Sequence, residues 1–226
     1  LVFGLIVTIH ELGHFTLAKL NGIRVDEFSL GMGPTLFGRE FKGTKFSLKL
    51  LPLGGACMMG EDDADDQSEG SFNSKSVWAR ISVIAAGPVF NFILALLMSA
   101  ILVGAAGYAV PVIQEVEPGS SGSEQGLKKG DVITQINGKK IHIYEEFQLY
   151  NLTHGKEDTA ELTVERDGKE QTIQMEKRLF QDETTKRMGF TYSADVEKPG
   201  FFKSIQYGAY TTKYWVEYTL ECLKML

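Results

Sequence analysis

Apolar residues are distributed along this chain in three ways, and each predicts a different kind of element. Residues 1–20, LVFGLIVTIHELGHFTLAKL, form a mostly apolar run of membrane-spanning length. Residues 81–107, ISVIAAGPVFNFILALLMSAILVGAAG, form a second run without a single charged side chain. Both predict transmembrane helices. Pro88 and Asn91 inside the second run predict a kink and an interhelical hydrogen bond, which outweighs a direct chemical role for Asn91.

Between the runs the period falls to two. Val25–Leu30 and Lys45–Leu50 read as strands, separated by turn-like Gly31–Pro34 and Lys42–Thr44 and closed by Leu51-Pro52-Leu53-Gly54-Gly55. This predicts a β-hairpin loop over 23–59. It is either an ordinary hairpin of a small sheet or one that dips toward an active site and offers an edge, near 45–53, to an extended substrate.

After residue 107 the chain alternates again. A strand at Val112–Val116, a short helix near 144–153 and strands near 159–166 and 169–176 surround tight turns at Asn137-Gly138 and Asp167-Gly168. Residues 108–198 thus form a small α+β module. From Phe201 the pattern is helical. Lys213, Glu217 and Glu221 share one face, and Trp215, Tyr218, Cys222 and Met225 another. Residues 199–226 read as an amphipathic helix leading into a further span, or equally as a surface helix packed on the module.

Composition narrows the picture. The net charge of -6 points away from nucleic acid. Cys57 and Cys222 are too few and too far apart for a disulfide framework. The acidic stretch 61–69, EDDADDQSE, has no periodicity and reads as a solvated loop; its spacing matches no calcium loop. Residues 1–9 lack the basic start and small-residue cleavage site of a signal peptide. With no initiator Met and apolar sequence at both ends, the chain reads as part of a longer protein. Lys19, Arg24, Lys75 and Arg80 flank the loop between the runs, and no Lys or Arg follows the second run until Lys128. The positive-inside rule puts the 21–80 loop in the cytoplasm and the 108–198 module outside.

The chemistry lies in His10-Glu11-Leu12-Gly13-His14, an HExxH pattern inside the first run. Residues i and i+4 share a helix face, so His10 and His14 can offer two imidazoles to one metal. Glu11 then stands where a general base for a metal-activated water is needed. Ionisable groups inside a span are costly and are functional candidates by default.

Three segments resemble the site-2 protease family, the intramembrane zinc metalloproteases of the bacterial regulator-of-sigma-E-protease type. They are HELGHF in the first helix, Leu51-Pro52-Leu53-Gly54-Gly55 after the hairpin, and Ala86-Gly87-Pro88-Val89-Phe90-Asn91-Phe92 in the second. Glu117-Pro118-Gly119-Ser120, Gly126 through Ile133 and Ile136-Asn137-Gly138 look like a bacterial PDZ domain. A single PDZ resembles the form common in Gram-positive bacteria. The resemblance covers the whole chain. It implies an α+β membrane protein: a metalloprotease core over 1–107, a PDZ domain inserted at 108–198, and a tail helix.

It further implies a multi-pass protein of the cell membrane, with the PDZ extracytoplasmic and the active site near the cytoplasmic side. His10 and His14 would be zinc ligands and Glu11 the catalytic base. Substrates would be single-span membrane proteins already trimmed outside, such as anti-sigma factors, or remnant signal peptides. The family's third ligand, an Asp in an Asn…Leu-Asp-Gly motif, is not found before Leu226, so this stretch alone should hold zinc poorly.

The PDZ resemblance implies a groove between the 144–153 helix and the last strand, here Met188–Tyr192, where a C-terminal peptide adds as a strand. Phe147, Tyr150, Phe190 and Tyr192 would line it, and Gly189 would let a carboxylate approach the backbone. Equally, those aromatic residues simply fill the core, and the module is a size filter. The competing function is a membrane-tethered PDZ adaptor with an inert HExxH.

Overall fold

The computed structural model describes residues 2–60, 68–179 and 187–225. Nearly all of the acidic stretch, residues 61–67, lies outside them. The chain divides into two compact units, Leu1–Ala95 and Leu96–Leu226. The division falls inside the second helix rather than at residue 107, because the last turns of that helix pack with the C-terminal half of the chain.

The first unit holds α1 (Val2–Leu20), β1 (Glu27–Phe41), β2 (Thr44–Met58) and the greater part of α2 (Val77–Ala106). α2 is unbroken through Pro88. By length and composition it is the one helix among the described residues apolar enough to cross a membrane. In α1, His10, Glu11, His14 and Lys19 dilute the apolar run. The two helices meet through small residues. A side chain at Gly13 would place its Cβ 2.5 Å from the Ala86 carbonyl oxygen, so only glycine permits this approach.

The hairpin differs from its sequence pattern. Gly31–Pro34 is not a turn but part of a continuous β1, in which Gly31 and Gly33 take φ of 86° and 87° and bend the strand. The bend lets residues 27–30 lie between 45–48 and 55–58, while 35–41 face 44–49 across the Lys42-Gly43 turn. Residues 45–48 are therefore interior to the sheet, and 55–58 form an edge. Phe28, Phe46 and Phe15 of α1 make a ring cluster with centroids 5.3–5.9 Å apart. Ala18, Ile23, Val25 and Val83 close this core.

In the second unit an antiparallel sheet runs in the order β7-β6-β4-β3-β8, with β5 beside β4. Its strands are β3 (Tyr108–Val116), β4 (Val132–Ile136), β5 (Lys139–Lys140), β6 (Thr159–Arg166), β7 (Lys169–Glu176) and β8 (Phe190–Glu197). The short α3 (Ser121–Glu124) and α4 (Tyr144–His154) complete the module. Ile113, Ile133, Leu162, Val164 and Phe147 form its core. Asp131, almost wholly buried, is held by Arg166 through two bonds of 2.6 Å.

α5 (Phe201–Lys224) follows. Its Ser204, Gly208 and Thr212 pack on Gly104, Ala100 and Ser99 of α2, a seam of small residues typical of helices packed in membranes. The charged face predicted for this helix turns inward in part. Lys213 reaches the buried Glu146 of α4 at 3.5 Å and Glu217 at 3.2 Å, while Trp215, Leu220 and Leu223 point outward.

Candidate active site

His10 and His14 occupy one face of α1, with ring centroids 4.8 Å apart and planes at 76°. A methyl group added at Gly87 of α2 would lie 2.5 Å from Nε2 of both imidazoles. Two ring nitrogens from one helix thus converge on a single point, and that point is kept clear because the facing residue has no side chain. This is what a metal held by both Nε2 atoms requires. His14 Nδ1 lies 2.7 Å from the carbonyl oxygen of Val83. A carbonyl only accepts, so His14 carries its proton on Nδ1 and turns a lone pair outward from Nε2.

The donor set therefore fits zinc, with two imidazole ligands supplied here. Among the described residues no group of three His, Cys, Asp or Glu is placed to hold a metal. Glu11 follows His10 on α1 and lies against the edge strand. A Cβ at Gly55 would come within 3.2 Å of Glu11 Cγ and 3.7 Å of Val7 Cγ1. Further up α1, Gly4 lies close to the Pro52 carbonyl, 3.1 Å from where its own Cβ would be. The segment 52–58 thus runs beside α1 past Glu11, on the outer side of residues 27–30.

Sequence reasoning named His10, Glu11 and His14, and the structure brings them to one place. It missed Val83 and Gly87, and for Asn91 it expected an interhelical hydrogen bond, without naming His10 as the partner. The Asn91 amide nitrogen lies 3.2 Å from His10 Nδ1. The signal available was the spacing of 83, 87 and 91, one residue per turn, in a run where small and polar residues are rare.

The residues named for the peptide groove lie elsewhere, in the second unit. Phe147 is 1% exposed and Tyr150 is buried, both within the core, so neither offers a free surface. Tyr192 meets Phe147 edge-on at 4.7 Å, and its hydroxyl accepts from Asn151. Burial raises that hydroxyl's pKa. Phe190 packs on the same core. Gly189, with φ of 73°, uses its carbonyl to accept from the Glu117 amide. The last strand starts later and runs further than expected. Among the described residues β8 is nonetheless an edge strand, bonded to β3.

A model of peptidase family M50 matches residues 1–226. A protein of Clostridium acetobutylicum named "Putative zinc metalloprotease" is 33% identical over 226 residues, covering 100% of this chain and 66% of its own length. A protein of the same description from Clostridium perfringens is 36% identical, with 100% and 67% covered. Another from Agrobacterium fabrum is 36% identical over 77% of this chain and 51% of its own. The chain thus spans about two thirds of the first two relatives and half of the third. A crystal structure of the PDZ domain of an SdrC-like protein from Listeria monocytogenes aligns with 38% of this chain and 88% of that one, at 23% identity and a TM-score of 0.32. With a family model matched from end to end and a relative two-thirds covered at 36% identity, this chain belongs to peptidase family M50.

Proposed function

We propose that this chain carries the zinc site of an endopeptidase that cuts membrane-spanning substrates within or beside the bilayer. The observation that carries the reading is the convergence of His10 and His14 Nε2 on one point beside Gly87, with Glu11 next in sequence. Zinc, when bound, polarises the scissile carbonyl and acidifies a water. Glu11 takes the proton from the attacking water and returns it to the leaving amine. His10 and His14 hold two coordination positions, and an Asp from outside residues 1–226 takes a third. The hairpin edge beside Glu11, at Gly55 and Ala56, holds the unwound substrate extended by strand addition, which brings a backbone carbonyl alongside Glu11. This edge replaces the 45–53 segment as the docking strand.

The membrane setting rests on what the helices expose. Ile84, Val89, Phe92 and Ile93 on α2 and Val2, Phe3, Leu5 and Ile6 on α1 all face outward. An apolar surface of that extent is stable in lipid and unstable in water. The positive charges around residues 19–24 and 75–80 put that end of the helices on the cytoplasmic side. Substrates of this reading are single-span proteins already trimmed outside, of the anti-sigma-factor or remnant-signal-peptide kind.

The 108–198 module is a PDZ domain in this reading and acts on what reaches the site. Tyr192 and Phe147 fill the cleft between β8 and α4, which favours a size filter. The feature to weigh for peptide capture is a cavity of about 230 Å³ at the end of α4, lined by Lys177 and Arg187 but also by Glu157, with Arg187 paired to Glu117.

The deciding experiment is Glu11→Gln in the full-length protein. It keeps the metal and lowers cleavage of a membrane-spanning substrate by at least about a hundredfold. Wild-type cleavage by the variant refutes the base assignment. A full-length wild type that binds no zinc leaves the adaptor reading, with an inert HExxH, in its place.

A further inference from the structure

α2 presents three successive turns to the two imidazoles. Val83, Gly87 and Asn91 are four residues apart and share one stripe of the helix. Each meets the histidines in a different way. Val83 offers a carbonyl to His14 Nδ1, Gly87 offers empty space to both Nε2 atoms, and Asn91 offers its amide to His10 Nδ1.

The amide has two faces with opposite consequences. If its NH2 donates to His10 Nδ1, that nitrogen carries the lone pair, the ring proton sits on Nε2, and the ring cannot bind a metal there. A half-turn about the Cβ–Cγ bond exchanges the two amide atoms. Oδ1 then accepts from Nδ1–H, and the lone pair moves to Nε2, on the side His14 already presents. Oδ1 of Asn91 is buried and has no hydrogen-bond partner among the described residues, so an acceptor is available within reach of the ring.

We propose that Asn91 is a positioning residue for the metal. Its Oδ1 holds His10 in the tautomer that leaves Nε2 free, as the Val83 carbonyl does for His14. Gly87, one turn away, keeps clear the point where the two nitrogens meet. The stripe 83-87-91 is thus the outer shell of the site, built wholly on the helix that contributes no ligand. The inference rests on the zinc reading above. It adds that a helix facing the HExxH sets the protonation of both ligands, one through the backbone and one through a side chain.

The test measures zinc affinity of the full-length protein in detergent by competition with a chromophoric chelator, together with the visible spectrum of the cobalt(II)-substituted protein. Asn91→Leu keeps the volume and removes the acceptor; it weakens zinc by about 10- to 100-fold and alters the cobalt spectrum. Asn91→Asp restores an acceptor and stays within about threefold of wild type. A mere packing role predicts the reverse order, since leucine suits a helix contact and a carboxylate does not. Gly87→Ala, with all three HExxH side chains intact, loses the metal. Wild-type affinity in Asn91→Leu, or an Asn91→Asp variant as weak as Asn91→Leu, overturns the Asn91 assignment. Retained zinc in Gly87→Ala overturns that of Gly87. Either failure leaves the zinc reading standing so long as His10→Ala loses the metal. A wild type without zinc takes both down.

Discussion

The helix contact of the first unit and the sheet module of the second bury opposite kinds of residue. Where the helices of the first unit meet, the contact is made by Gly13, Ala86 and Gly87 and by the imidazoles of His10 and His14, while the large apolar side chains of the same helices face outward. The sheet module of the second unit has Phe147, Ile113, Leu162 and Ile173 inside and, apart from the paired Asp131 and Glu146, its charges toward the surface. Under the membrane reading proposed above, the reason is the surrounding solvent. In water, association is driven by removing apolar area, so the large apolar groups go inside. In lipid that drive is absent, and close backbone approach and polar contacts hold helices together. The first unit can therefore keep a polar site at its centre, where its histidines are held by hydrogen bonds from a neighbouring helix.

That contrast can be broken in a graded series. The largest effect belongs to the module core. Phe147→Ala removes the largest of its fully buried side chains and costs about 4 kcal/mol. Hydrogen exchange followed peptide by peptide should show lost protection over 108–198 with zinc still bound in the first unit. Loss of zinc in that variant would mean that the two units do not stand apart energetically.

A matched pair of substitutions comes next. Phe92 of α2 and Leu152 of α4 are 58% and 60% exposed, nearly the same. If α2 faces lipid, Phe92→Lys costs about 3 kcal/mol and reduces the fraction of protein integrated in membranes. Leu152→Lys, facing water, stays within about 0.5 kcal/mol by thermal melting. Equal effects at the two sites would remove the contrast.

The smallest effect is a matter of pH. The Arg178 guanidinium, forked onto Glu124, holds that carboxyl below the usual range. A depressed folded pKa means a stabilisation present above the unfolded carboxyl pKa of about 4.3 and lost as pH falls through the folded value. The pair is exposed, so the change is slight. Arg178→Gln should flatten only the acidic limb of the melting-temperature profile, and a change at neutral pH alone would assign the effect to something else.

What sequence alone determined here is whatever depends on neighbours a few residues apart. The HExxH face of α1 follows from the helical repeat, the run at 81–107 from composition, and the turns at Lys42-Gly43, Asn137-Gly138 and Asp167-Gly168 from residues that tolerate positive φ. What only the tertiary structure decided depends on partners far apart in the chain. His10 and Asn91 are 81 positions apart and His14 and Val83 are 69, so nothing local says which atoms they share. The hairpin edge is 55–58 rather than 45–53 because Gly31 and Gly33 bend β1 back across both, a consequence of pairing and not of alternation. Phe147 and Tyr150 share a helix face, as their spacing requires, and that this face packs on Ile113, Leu162 and Val164 follows from strands distant in the chain. Helical and alternating periods say which residues lie together on one face, and only the packed fold says what that face touches.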